Sequence, residues 1–337
     1  MRRYVLGQTG IEVSQLGFGC VKLTTHPERR DAVRILEDAF GHGITHFDVA
    51  RAYGFGRAEG ILAEFLRGKR HRVTVATKFG IEPPSGIAGN RRVIDLAKKI
   101  LSPFPGLLRH VKQRGSAMVQ SGVFTPAIAI RSLETSLREL HTDYVDVLLL
   151  HEATLADAAS KPLIDALQQQ VARGTVRAFG VASDFHKLGE DADRVPSAYQ
   201  ILQLEDNAHA RNLRTLSHVT RRGTITHSVF QPALPLQRAV FRQSEFVRRF
   251  SSEINADLGD QTVIGSLLLH YALRSNPHGV VLFSSSDPQR VSANVHDAET
   301  GRYDERQLLR FVEFVDILLN PISLPNTPSS TSPQAAS

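Results

Sequence analysis

Short apolar runs rich in β-branched residues recur along the chain, and each is followed by a stretch whose apolar residues fall three or four apart. The first pattern suits a strand and the second an amphipathic helix facing a core. The strand-like runs are QLGFG (15–19), ITHFDV (44–49), RVTVATK (72–78), YVDVLLL (144–150), TVRAFGVAS (175–183), AYQILQLED (198–206), GTITHSVF (223–230) and GVVLFS (279–284). Helical spacing appears near 28–41 with Val33, Leu36 and Phe40, in RAEGILAEFL, around Ile130, Leu133, Leu137 and Leu140, and over 157–172. It continues around 211–221, 238–249 and 261–274, and a final helix is expected to begin near Pro288. YVDVLLL is almost wholly apolar, which fits a strand covered on both faces. Eight strands alternating with helices, over ~250 residues plus insertions, predict an α/β fold of the (β/α)8 TIM-barrel kind, with an open doubly wound sheet as the alternative.

Three segments break the alternation. The opening RRYVLGQTGIEVSQLG reads as a β-hairpin turned at Gln8-Thr9-Gly10, placed to cap the barrel floor. Residues 81–125 are too many for a simple connection, and they contain an amphipathic VIDLAKKIL segment. An insertion between strand and helix lies at the active-site end of such barrels, where it is expected to form a lid or substrate wall. The Pro/Ser-rich stretch 320–337 lacks periodic hydrophobicity and is expected to be a mobile tail, leaving 1–319 as a single barrel domain.

Composition narrows the class. An apolar fraction of 42% with 22% charged residues describes a soluble globular chain, and no apolar run approaches the roughly 20 residues of a membrane span. The start, MRRYVLGQTG, has no apolar stretch behind its arginines, so a cytoplasmic location is expected. A single cysteine, Cys20, excludes an intramolecular disulfide and a thiolate cluster, and no metal site is expected. The net charge of +6 comes from scattered basic residues without aromatic interleaving, so nucleic acid is not an expected partner. Oligomeric state is left open.

Catalytic side chains of a (β/α)8 barrel come from the C-terminal ends of its strands. Those ends carry Asp48, Tyr53 just beyond it, Lys78 and His151. Taken singly, each has a plain structural reading: a capping carboxylate, a packed loop aromatic, a surface ammonium, one histidine among 14. Together they can do one piece of chemistry. Hydride transfer to a carbonyl leaves an alkoxide that must be protonated as it forms. Tyr53 can supply the proton, although a free phenol has a pKa near 10. A nearby Lys78 ammonium would lower that value, Asp48 would anchor the ammonium, and His151 would orient the carbonyl.

These residues sit in segments that resemble the aldo-keto reductase family. FDVARAYGFGRAEGIL (47–62) is similar to the family's D-T-A-x-x-Y-G-x-A-E segment, with Val49 in place of threonine. ATKFG (76–80) and LLLHE (148–152) resemble the segments carrying the family's lysine and histidine, and LGQTGIEVSQLGFG (6–19) resembles its opening. The resemblance, running from about Tyr4 to Asn294, implies an NADP(H)-dependent oxidoreductase acting on small-molecule aldehydes or ketones, with NAD(H) as the second cofactor choice. It leaves open a sugar (aldose) dehydrogenase, and a non-catalytic nucleotide-binding regulatory subunit resembling channel β subunits.

The glycines 54, 56 and 60 do not have dinucleotide-fingerprint spacing, so no Rossmann site is assigned. The resemblance instead implies a cofactor across the barrel mouth. Gly19, Cys20 and Asp48 would border it, and Ser183 stands where an asparagine usually meets the nicotinamide amide. Gln203, in QLEDN, would hold the same amide. His227 replaces a stacking tyrosine, and Ser228, Val229, Phe230 and Gln231 would face the diphosphate. SSSDPQRVSAN (284–294) resembles the adenosine-end segment, placing Ser285 and Arg290 at the 2′-phosphate and Asn294 among the cofactor contacts, with Ser284 replacing a frequent lysine. Phe55 and Phe79 are expected in the pocket wall.

Overall fold

The computed structural model describes residues 1–26, 28–83, 122–188, 194–216, 221–241 and 244–319. Strands β1 (Arg3–Val5) and β2 (Glu12–Ser14) pair antiparallel as the expected hairpin. Eight parallel strands then close a barrel: β3 (Leu16–Gly19), β4 (His46–Asp48), β5 (Thr74–Phe79), β6 (Val145–His151), β7 (Val176–Ala182), β8 (Ile201–Glu205), β9 (Gly223–His227) and β10 (Val280–Phe283). They neighbour one another in chain order, and β10 pairs with both β9 and β3 to complete the ring. The open doubly wound sheet is thereby excluded.

Alternation along each strand decides what fills the bore and what meets the helices. Ala76, Val147, Leu149, Ala178, Ile201, Ile225, Val280 and Leu282 pack together inside, and Leu6, Ile11 and Val13 of the hairpin join them from below. The hairpin is thus the apolar stopper of the N-terminal end. The alternate residues, among them Phe47, Val75, Phe79, Leu148, Leu150 and Phe179, pack outward against the helices. A carboxylate stands among the outward positions. Asp146 is 1% exposed, and its carboxylate meets Arg177 at 2.8 Å, Arg70 at 2.8 Å and the backbone N–H of Val75 at 2.9 Å. A buried carboxylate is tolerated when it is paired and hydrogen-bonded in this way.

Local signals explain the helix limits. Thr125 accepts a hydrogen bond from Ile128 N–H ahead of Pro126–Leu140, and Asp260 and Asp287 cap Gln261–Ser275 and Pro288–Thr300 through side-chain oxygens. Two expectations need correction. The helix expected over 211–221 is a single 3₁₀ turn, Asn212–Thr215, within the part described. The helical pattern at 238–249 belongs to two helices, Ala233–Val240 and Ser244–Ile254. A further helix, Glu305–Leu319, follows the one at Pro288, and it buries Leu308, Phe311, Val312, Val315 and Leu318 against a flanking cluster. Most of the 81–125 insertion and all of the 320–337 tail lie outside the described residues.

Strand β7 runs so close to β8 that Gly180 has no room for a side chain: a Cβ there would sit 2.2 Å from the Ile201 carbonyl oxygen. Gly180→Ala is expected to destabilise the barrel by about 1–3 kcal/mol or more, since the clashing partner is backbone in a packed interior. Urea unfolding of the two proteins measures it, and equal midpoints would contradict the close approach.

Candidate active site

The inward positions turn polar at the C-terminal ends of the strands. Asp48 ends β4, Lys78 is the last inward residue of β5, His151 ends β6, and Gln203 stands opposite them on β8. They line a cavity of about 500 Å³ at the barrel mouth, together with Tyr53 from the loop after β4. The structure brings all four residues of the expected tetrad to one place.

Lys78 is 2% exposed and Asp48 3%. The Lys78 ammonium is bound to Asp48 Oδ1 and donates to the Val49 carbonyl at 3.2 Å and to the Tyr53 hydroxyl at 3.2 Å. Those three acceptors use all three of its hydrogens. Gln203 Nε2 donates to the other Asp48 oxygen at 2.7 Å. The His151 ring stands edge-on to Tyr53, with centroids 5.9 Å apart, and its Nδ1 is buried without a hydrogen-bond partner.

Electrostatics refine the sequence expectation for Tyr53. Burial raises the phenol above its ordinary value, Lys78 pulls it down, and Asp48 raises it; the net direction is up. The ammonium acts as expected, but desolvation is larger. Lys78 is itself raised: burial disfavours its charge, and the fields of Asp48 and Tyr53 together with their hydrogen bonds restore it. Burial, with help from the Lys78 charge, pushes His151 down to about 3. It is a neutral imidazole at physiological pH and can donate or accept a hydrogen bond.

The expected cofactor contacts divide into two groups. Gly19, Ser183, His227, Ser228, Val229, Phe230 and Gln231 line the same cavity as Asp48 and Gln203. Ser183 donates to the Ala153 carbonyl at 2.7 Å, and His227 Nδ1 lies 2.9 Å from Ser228 Oγ. Ser228 has φ of +67°, a strained value for a residue with a side chain, and Asn207 Nδ2 supports this turn at the Ser228 carbonyl (3.3 Å) and Gln231 Oε1 (3.4 Å). Ser285, Arg290 and Asn294 are not among the residues lining this cavity. Ser285 Oγ is engaged in the turn ahead of Pro288–Thr300, accepting from the Asp287 N–H at 3.0 Å, and the Arg290 side chain is 81% exposed with its nearest carboxylate, Asp287, at 3.7 Å.

Cys20 and Phe79 are placed elsewhere. Cys20 is fully buried in the outer core with its thiol toward the Phe18 carbonyl, and burial pushes that thiol well up. Phe79 follows the inward-facing Lys78 and therefore points outward, where it meets Phe124 at 6.0 Å. Phe55, with φ of +59°, does not line the cavity either. The structure adds wall residues that the sequence reading did not single out: Val21, Lys22, Glu152 and Leu282. Glu152 directly follows His151 at a strand end, and that position was the available signal.

The donors present fit a nicotinamide nucleotide. Ser183, Gln203 and His227 line one cavity and bring a hydroxyl, a carboxamide and an imidazole to it, groups of the kind that an amide-bearing ring would need. At the rim, Gly19 leaves backbone bare where a Cβ would press to 2.6 Å on Ser284 Oγ.

Two buried imidazoles give a pH prediction. His46, beneath Asp48 on β4, is lowered to about 4, chiefly by burial, and His151 to about 3. Neither ring should titrate between pH 5.5 and 8 in histidine NMR spectra. Between the unfolded value near 6.5 and these folded values the unfolded chain binds more protons, so stability is present above pH 6.5 and is lost as pH falls toward 4. A midpoint near 6.5 for either ring would contradict the burial.

The family model described as the aldo/keto reductase family matches residues 15–201, more than half of the 337-residue chain. The chain is 28% identical over 183 residues to YqkF of Bacillus subtilis (strain 168), named an uncharacterized oxidoreductase, covering 54% of this chain and 49% of that one. It therefore spans about half the length of this curated relative. Among solved structures, the holo form of an aldo-keto reductase from Bacillus halodurans superposes with a TM-score of 0.72 at 20% identity, covering 94% of this chain and 96% of that one. An aldo-keto reductase from Klebsiella pneumoniae in complex with NADPH gives 0.64 at 20% identity, covering 94% and 95%. At such identities the structures speak to the fold. The match of the family model shows that this chain belongs to the aldo/keto reductase family.

Proposed function

We propose that this chain reduces aldehydes or ketones to alcohols with NADPH, with Tyr53 as the proton donor. The observation that carries the reading is the contact of the Tyr53 hydroxyl with a buried, fully engaged Lys78 ammonium at 3.2 Å, on the wall of a cavity that also holds the His151 ring.

In this reading the nicotinamide, held by Ser183, Gln203 and His227, supplies the hydride when bound. The chain's own residues handle the proton. Neutral His151 orients the carbonyl oxygen toward Tyr53. Tyr53 gives its hydroxyl proton to that oxygen, and the adjacent ammonium stabilises the phenolate that remains. Asp48 keeps the ammonium charged in a desolvated place. The upward displacement of the Tyr53 pKa keeps the phenol protonated, and the Lys78 ammonium offsets the weaker acidity that goes with it by stabilising the phenolate.

The choice of NADPH is supported by Arg290 at the first turn of Pro288–Thr300, whose exposed guanidinium, 3.7 Å from Asp287, has the planar donors to meet a phosphate dianion bidentately. The solved relative in complex with NADPH agrees with it.

Tyr53→Phe is expected to lower kcat by at least ~100-fold while leaving NADPH affinity little changed. Steady-state rates on a panel of aldehydes and ketones, with NADPH binding measured separately, check it; near-normal turnover would remove Tyr53 from this role. Arg290→Ala is expected to weaken NADPH relative to NADH by about ten- to a hundredfold, the worth of one hydrogen bond to a charged group. Equal losses for the two cofactors would deny Arg290 the 2′-phosphate.

A further inference from the structure

Gln203 is placed by its sequence segment as a contact for the cofactor amide, yet in the structure its amide nitrogen is committed to Asp48. Gln203 lies on β8 and Asp48 on β4, four strands apart in either direction around the ring, so the 2.7 Å hydrogen bond spans the bore. Both residues are 3% exposed, which leaves water little access to replace it.

The consequence follows from counting donors and acceptors. The ammonium of Lys78 has three hydrogens and three acceptors: Asp48 Oδ1, the Val49 carbonyl and Tyr53. Val49 is fixed by the backbone. Asp48 can rotate about its side-chain bonds, and only Oδ1 faces Lys78 while Oδ2 is held by Gln203. A carboxylate released from Gln203 would offer both oxygens to the ammonium and draw it away from the phenol.

We propose that Gln203 is a positioning residue that fixes the Asp48 carboxylate from across the barrel, so that Lys78 keeps one hydrogen on the Tyr53 oxygen. The proposal rests on the reading of Tyr53 as proton donor only for its effect on rate; the hydrogen-bond line itself does not depend on it. Besides Lys78, Asp48 and Tyr53 themselves, the titratable groups that feel the charges of this line are Cys20, His46, His151 and His227. Burial holds each of those four in its neutral form, so the carboxylate and the ammonium set the field at Tyr53.

The experiment uses the full chain with Gln203→Met, which keeps length and removes the donor, and Gln203→Asn, which keeps the amide but retracts it by one carbon. The first readout needs no turnover: the ¹³Cζ resonance of Tyr53 at pH 7, assigned by its loss in Tyr53→Phe, reports the hydrogen bond its oxygen accepts. Both variants should move this resonance, lower kcat about tenfold at saturating NADPH, and carry the alkaline limb of kcat to higher pH. A resonance left in place, with only the KM for NADPH raised, would overturn the positioning role and leave Gln203 as a cofactor contact. Should Tyr53→Phe itself retain turnover, the assignment of the proton donor fails while the resonance still tests the strut.

Discussion

A lysine ammonium without water around it has to be matched by charge and by direction, and the mouth of this barrel is organised around doing both for Lys78. Moving such a charge out of solvent is unfavourable by several kcal/mol after relaxation, and only well-aligned partners offset it. Asp48 provides the opposite charge, and Val49 and Tyr53 accept the remaining hydrogens. Asp48 then has an oxygen of its own to satisfy, and Gln203 satisfies it from the opposite wall. Each group is needed because the previous one is buried, so the chemistry and the stability of this region are a single network.

That network can exist because strands place residues with a period of two. Lower in the bore the inward positions are mostly Val, Leu, Ile and Ala, with His46 held by Thr74 at 2.9 Å among them, and at the upper end the same positions become Asp48, Lys78, His151 and Gln203. The apolar layers supply the low-dielectric surroundings in which the ion pair acts on its neighbours. The same surroundings drive the Tyr53 phenol up and the His151 imidazole down. A donor that remains protonated and an imidazole that remains neutral are the states the proposed reduction needs.

Much of this was legible in the sequence. The tetrad stood out because four chemically compatible residues fell at or just beyond strand ends, and the strand ends were readable from apolar runs. What was illegible has physical causes. Phe79 is expected in the pocket wall, but it neighbours the inward-facing Lys78, and adjacency along a strand means opposite faces. Cys20 follows the rim residue Gly19, yet the chain turns into a 3₁₀ helix there and buries the thiol. The helix Glu305–Leu319 carries a clear stripe from Leu308 to Leu318 that could have announced it. The bond between Gln203 and Asp48 had no signal at all, since it joins residues 155 apart that only closure of the ring makes neighbours. The net direction of the Tyr53 shift also needed coordinates, because burial and an adjacent ammonium oppose each other.

The N-terminal hairpin gives the vessel a sealed base. With Leu6, Ile11 and Val13 wedged beneath the lowest layer of the bore, traffic along the axis has one doorway. Solvent, like any ligand, can therefore reach the Lys78 charge only from the mouth, where Tyr53 and His151 stand.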